Sequence, residues 1–187
     1  MEEVAMGYGI ADLVVAKVKH YDIAETIMND TDIHIYEIIA KYPDQTFDDL
    51  LQGSRIASAK LKNVLRKLEN LSYIKNVEGS YSLGVVYNAV VLDNIAVEAK
   101  LKNWKRALYQ AFRYKWFSFQ SYVVMDSSNI KPALSNLHEF EKLNIGLAEI
   151  NLLGEISIHY KPSKEQPISK KMTIQFNEYV KGSKTHQ

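Results

Sequence analysis

Glu98, Ala99 and Lys100 close an apolar run, Ile95-Ala96-Val97, and lead into a basic segment that carries Gln110 and Tyr114. In an extended chain, side chains two residues apart share a face. Glu98 and Lys100 therefore project together, and Val97 and Ala99 take the opposite side. A carboxylate and an ammonium on a core-type strand are very rarely buried without a partner or an ion. With a second carboxylate beside them they could hold a hard divalent cation and stabilise charge on a phosphoryl oxygen. A structural ion pair is the bland alternative. Gln110 and Tyr114 lie four residues apart, so a helix would place them on one face; ordinary helix packing is their alternative role.

Two residues could supply the second acid. Asp12 interrupts the run Gly9-Ile10-Ala11-Asp12-Leu13-Val14-Val15, and Asp93 stands five residues before Glu98. Asp93-Asn94 reads more simply as a tight turn, so Asp12 is preferred and Asp93 stays open. Other chemistry has less support. His20, His34, His138, His159 and His186 lack the i, i+4 spacing of a zinc helix. The sequence has no glycine-rich phosphate loop and no serine nucleophile elbow. Without cysteine, a thiolate metal site and a disulfide framework are excluded. Trp104, Phe112, Trp116, Phe117 and Phe119 interleave with the bases; they could stack on nucleotides, but the reading favoured is that they cover a sheet.

The net charge of +1 over 187 residues conceals segregation. Asp30 to Leu50 holds six acids and one lysine; Arg55 to Lys67 holds five bases and no acid; Val97 to Trp116 holds six bases against Glu98 alone. Two basic stripes suit a protein that contacts phosphates, while solvated helix faces explain either stripe alone. The first residues lack the pattern of a signal peptide, and no apolar stretch approaches the roughly 18 residues of a membrane span. A cytoplasmic protein with no membrane partner is the expectation.

Three blocks must position these groups. Val4 to Lys19 reads as a strand in which Gly7 and Gly9 precede the apolar Ile10, Leu13, Val14, Val15 and Val18. Asp30 to Leu83 reads as a helical module. Ile33, Ile35, Ile38 and Ile39 suit a first helix that Pro43 helps to end, Thr46 caps a second, and Ser58 to Leu71 sets Leu61, Val64, Leu65, Leu68 and Leu71 on one face of a third. A hairpin follows, turning at Glu78-Gly79-Ser80. Val86 to Pro162 alternates strands (95–99, 121–125, 145–150, 156–159) with helices (101–117, 131–143), which predicts an α/β domain with helices on a mixed sheet. From Ser163 the chain is polar and lysine-rich and reads as a peripheral tail, with one element at Met172 to Val180.

The helical module resembles the winged-helix (helix-turn-helix) fold, whose third helix enters the major groove while the hairpin touches the backbone. The resemblance implies that Ser58, Lys62, Asn63 and Arg66, away from the leucine stripe, face DNA, with Lys75 on the wing; protein–protein contact is the other use of such modules. Glu98-Ala99-Lys100, followed ten residues later by Gln110 and then Tyr114, resembles the PD-(D/E)xK nuclease superfamily, in the branch with a Q-x-x-x-Y helix. That likeness implies a restriction-endonuclease-like mixed sheet flanked by helices. It further implies that Asp12 and Glu98 share Mg²⁺ or Mn²⁺, that Lys100 orients water or stabilises the transition state, and that Gln110 and Tyr114 support them. Lys102, Lys105 and Arg106 on the same helix would meet DNA. The expected domains are a discontinuous nuclease-like one (1–28 and 84–162), a winged helix inserted into it (29–83) and the tail (163–187). Such an insertion departs from the family's usual short connection, but long insertions cost little extra closure entropy. The family's first helix is reduced to Met1-Glu2-Glu3, with Glu3 a weak substitute for its acid. The function expected is a Mg-dependent deoxyribonuclease, an endonuclease that acts as a homodimer, since cutting both strands takes two sites. The alternative is a non-catalytic DNA-binding or transcription-regulatory protein on a nuclease-like scaffold.

Overall fold

A computed structural model describes residues 2–6, 9–20 and 27–183. Met1, Gly7, His186 and positions 21–26 and 184–187, which bear on some of the expectations above, lie outside the described residues. The chain divides into two units, Met1–Lys19 with Val91–Phe176, and His20–Val90 with Asn177–Gln187.

The first unit is built on a mixed six-stranded sheet. Its N-terminal segment is a hairpin rather than one strand, β1 (Glu2–Met6) and β2 (Gly9–Val18). The remaining strands are β6 (Val91–Lys100), β7 (Gln120–Asp126), β8 (Gly146–Ile150) and β9 (Ile156–Tyr160). The order is β1-β2-β6-β7-β8-β9, with β6, β7 and β8 parallel and the outer pairs antiparallel. This is the α/β arrangement of a mixed sheet flanked by helices.

Both parallel steps advance in one direction along the sheet, and crossovers of the usual right hand then fall on one face. The first crossover is α4 (Trp104–Tyr114); the second is a 3₁₀ turn, α5 (Lys131–Leu134) and α6 (Leu137–Leu143). Trp104 of α4 and Phe140 of α6 stack with centroids 5.8 Å apart, which places the two on the same side. Under them lie Val14, Ala96, Val123 and Leu147, all buried. Asn94 fastens the end of α4 to the sheet: its side chain donates to the Phe117 carbonyl and accepts from the Phe119 amide.

The second unit contains α1 (Asp30–Lys41), β3 (Gln45–Thr46), α2 (Phe47–Ser54), α3 (Ser58–Asn70), β4 (Ile74–Val77) and β5 (Ser80–Leu83), with the small sheet ordered β3-β5-β4. Asn29 and Thr46 each form reciprocal capping boxes, with Asp32 and Asp49, satisfying amides that helix starts leave orphaned. Ile33, Ile35, Ile39, Leu50, Leu61, Leu65 and Leu68 make the core. Glu78 and Gly79 both take positive φ at the hairpin, the demand of a two-residue turn.

From Lys170 to Ser183 the chain forms a helix, α7, where a tail with one short element is expected. Met172, Ile174, Phe176 and Val180 are buried. Asn177 accepts from the Val90 amide and Glu178 from the Met28 amide and the Tyr87 hydroxyl. Among the described residues, no helix is long and apolar enough to cross a membrane.

Candidate functional site

β2 and β6 pair from Leu13–Val97 to Val18–Val91. Just past the end of that register the Asp12 carboxylate replaces a backbone partner: its Oδ2 accepts from the Ala99 amide at 2.8 Å. The register runs on evenly here, with Val4 opposite Ala11 and Glu2 opposite Leu13, and the irregularity of the β2–β6 pair falls instead between Lys17 and Val18.

Lys100 Nζ stands 2.6 Å from Glu98 Oε1 and 4.0 Å from Asp12 Oδ2. The ammonium thus sits between the two acids. Glu98 is wholly buried, and its Oε1 is charge-paired without an aligned hydrogen bond. Asp12 and Lys100 are partly exposed, with side chains 39% and 31% accessible. One carboxylate is therefore inside the fold, while the other acid and the lysine form the mouth.

α4 closes the site. Ala107 and Ala111 are fully buried, and these small residues let the helix approach the sheet closely enough for Tyr114 to reach in. The Tyr114 hydroxyl, with one proton to give, stands within hydrogen-bonding reach of two acceptors, Glu98 Oε2 and the Ile10 carbonyl, the latter at 2.7 Å. Burial pushes this phenol well above its usual range, and the hydrogen bond and charge of Glu98, then the charge of Asp12, push the same way; the Arg113 cation opposes them. A Cβ at Gly9 would lie 3.5 Å from the Tyr114 ring and 3.7 Å from the Arg113 guanidinium, ordinary contact distances that put this residue of β2 beside the end of α4. Gln110 Oε1 and Arg113 Nε, both on α4, are enclosed without a hydrogen-bond partner. Arg113 was missed as a site residue in the sequence; its spacing of three from Gln110 on a helix was the available signal.

Asp12, Glu98, Lys100 and Tyr114 are thus brought together. Asp93 is not: its Oδ2 pairs with Lys164 at 2.9 Å, further back along β6. Lys102, Lys105 and Arg106 are exposed around the start of α4 beside exposed Tyr109, and Lys105 lies over the Trp104 ring at 5.6 Å. In the other unit, Ser58, Lys62, Asn63 and Arg66 occupy the exposed side of α3 and Lys75 is exposed on β4. Arg66 donates to Asn63 at 3.1 Å. Lys67 is committed inward, to Asp32 Oδ2 at 2.5 Å and the Ile27 carbonyl at 2.8 Å.

The donor set suits Mg²⁺ or Mn²⁺. Such ions take one or two protein carboxylates and complete their shell with water and phosphate oxygens. Asp12 and Glu98 meet that requirement, and among the described residues no cluster of three or more His, Cys, Asp or Glu offers an all-protein cage. Comparison with known proteins returned no matching family model, no matching curated protein and no matching solved structure.

Proposed function

We propose that this chain is a cytoplasmic, metal-dependent DNA endonuclease of the PD-(D/E)xK type. The observation that carries the reading is the convergence of Asp12, Glu98 and Lys100 from adjacent strands, with the ammonium 2.6 Å from one acid and 4.0 Å from the other. Asp12 and Glu98 would hold Mg²⁺ or Mn²⁺, which supplies charge neutralisation at the scissile phosphate and acidifies a coordinated water. Lys100 would stabilise the charge that develops on the phosphate. Tyr114 would fix the orientation of Glu98, and the enclosed Gln110 oxygen would accept a hydrogen bond from a positioned water. The unit containing α1 to β5 would act as a winged helix, with Ser58, Lys62, Asn63 and Arg66 on α3 and Lys75 on the hairpin engaging DNA. Lys102, Lys105 and Arg106 would neutralise phosphates beside the site.

A second reading draws on the complete burial of Glu98 and its engagement by both Lys100 and Tyr114. On it the chain is a DNA-binding regulatory protein whose nuclease-like core is a scaffold. Cleavage assays on linear, nicked, single-stranded and four-way-junction DNA, with Mg²⁺ or Mn²⁺, separate the two. The nuclease reading expects metal-dependent cutting that Glu98→Ala and Lys100→Ala each reduce by about a hundredfold or more. Binding without cutting by the unaltered chain overturns it in favour of the regulator.

A further inference from the structure

Arg113 carries a charge that the fold leaves unanswered. The residue is half-buried, and its Nε is enclosed without a hydrogen-bond partner. Among the described residues its side chain makes no hydrogen bond and no ion pair. The two acids of the site are engaged elsewhere, Glu98 by Lys100 and Tyr114, Asp12 by the Ala99 amide. Enclosing a charge is expensive unless it is paired and hydrogen-bonded, and an unsatisfied buried polar group in a native fold calls for a partner from outside the chain. An arginine that only rests its stem on an apolar surface keeps its polar head in water; the Nε of Arg113 is shut off from it.

The position of this cation selects its partner. The guanidinium lies beside Gly9 at the start of β2, and Asp12 follows three residues along the same strand, about 10 Å on. Its charge reaches the Tyr114 phenol, where it opposes those of Glu98 and Asp12. Along α4, Arg106, Gln110 and Arg113 are spaced by four and three residues and so share a face, with the two arginines about 10 Å apart along the axis. The helix has no acid anywhere in its length, and Lys102, Lys105 and Arg106 are exposed around its start. The planar fork of a guanidinium matches the oxygens of a phosphate. One isolated anion would need one such group; a row of cations along a helix suits a chain of phosphates. We propose that Arg113 holds a phosphate of a nucleic-acid strand that runs along α4 past Asp12 and Glu98, while Arg106 holds the same strand two turns away. That this phosphate flanks a cleaved one rests on the nuclease reading; the grip on the strand does not.

Fluorescence anisotropy of labelled single-stranded and duplex DNA, titrated with the full chain at several salt concentrations and with a chelator present so that nothing is cut, tests this. For the form that binds more tightly, Arg113→Met should weaken binding and lower the slope of log affinity against log salt by about 1. Arg113→Lys, which keeps the charge and loses the fork, should keep the slope. Without DNA, Arg113→Met should melt above the wild type by tryptophan fluorescence, because it removes an uncompensated charge; an arginine that braces the fold would shift the midpoint down. An unchanged slope overturns the proposal, as does a lower midpoint for Arg113→Met. A wild-type midpoint raised by inorganic phosphate together with an unchanged DNA slope would assign the guanidinium to a free phosphate, which also overturns it. Metal-dependent cutting with an unchanged slope leaves the nuclease without this contact, and a lowered slope in a chain that never cuts leaves the contact without the nuclease.

Discussion

Tyr114 has one phenolic proton and two oxygen neighbours, the Ile10 carbonyl and the Glu98 carboxylate. Ionising it would set a phenolate against a buried carboxylate, which is why the phenol is held protonated past its usual range. The sign of the linkage follows. Below the unfolded tyrosine value, about 10, both states keep the proton and the contribution is fully present. Above it only the unfolded chain releases the proton, and stability is lost as pH rises. Tyr114→Phe should therefore make the alkaline decline of unfolding free energy shallower by about 1.4 kcal/mol per pH unit relative to wild type. At neutral pH the same change should cost about 1–3 kcal/mol, because Glu98 Oε2 loses its donor. Denaturant unfolding across pH measures both, and identical alkaline slopes would sink the account. That Glu98 and Lys100 share a face was legible from strand alternation alone. The role of Asp12 was legible only in part. A sequence shows an acid interrupting an apolar run, but not the antiparallel pairing of β2 with β6 that brings the carboxylate to the Ala99 amide.

At the scale of elements, α3 separates two kinds of basic residue that composition counts alike. Lys67 neutralises Asp32, which is buried, while Arg66 one position earlier is exposed. Removing one partner of a buried ion pair strands the other charge. Lys67→Met should thus cost about 3 kcal/mol of stability, whereas Arg66→Ala should change it by less than about 0.5 kcal/mol. If α3 meets DNA, Arg66→Ala should instead weaken binding across all sequences and lower the slope of log affinity against log salt by about 1; an unchanged slope would remove Arg66 from the contact. The leucine stripe of α3 and the cap at Thr46 were readable because both are local. The expected helix of residues 101–117 proved shorter for equally local reasons. Asn103 adopts left-handed backbone geometry and accepts from the Arg106 amide, starting α4 at Trp104, and the amides of Lys115 and Trp116 bond three residues back as the helix tightens and ends. The expected helix of 131–143 is broken where Asn136 donates to the Pro132 carbonyl. The element expected at Met172 to Val180 lies within α7, whose full extent and burial were hidden for a different reason. Its Asn177 and Glu178 look solvated in sequence, and only backbone amides far along the chain, at Val90 and Met28, make their burial affordable.

In the whole molecule, β2 ends at Val18 and its sheet neighbour β6 begins at Val91, so one unit is interrupted in sequence by most of the other. Loop closure explains the tolerance, since each doubling of a connection adds only about 0.6 kcal/mol. Trp104 and Trp116, the chain's two tryptophans, both belong to the sheet-containing unit that carries Asp12 and Glu98. Tryptophan fluorescence therefore reports melting of the unit in which the ion would bind. A ligand that binds only the folded state stabilises it by about 2.7 kcal/mol when present at a hundred times its dissociation constant. Mg²⁺ or Mn²⁺ should accordingly raise the fluorescence-detected midpoint of the wild-type chain in a concentration-dependent way. Glu98→Ala should abolish that rise, because it leaves Asp12 as the single acid of the pair, while Lys100→Ala should keep it, since the ammonium competes with a cation for the same two carboxylates. A wild-type midpoint indifferent to both ions would mean that the buried carboxylate stays with its lysine, and the convergence of charges would then be a structural ion pair rather than a metal site.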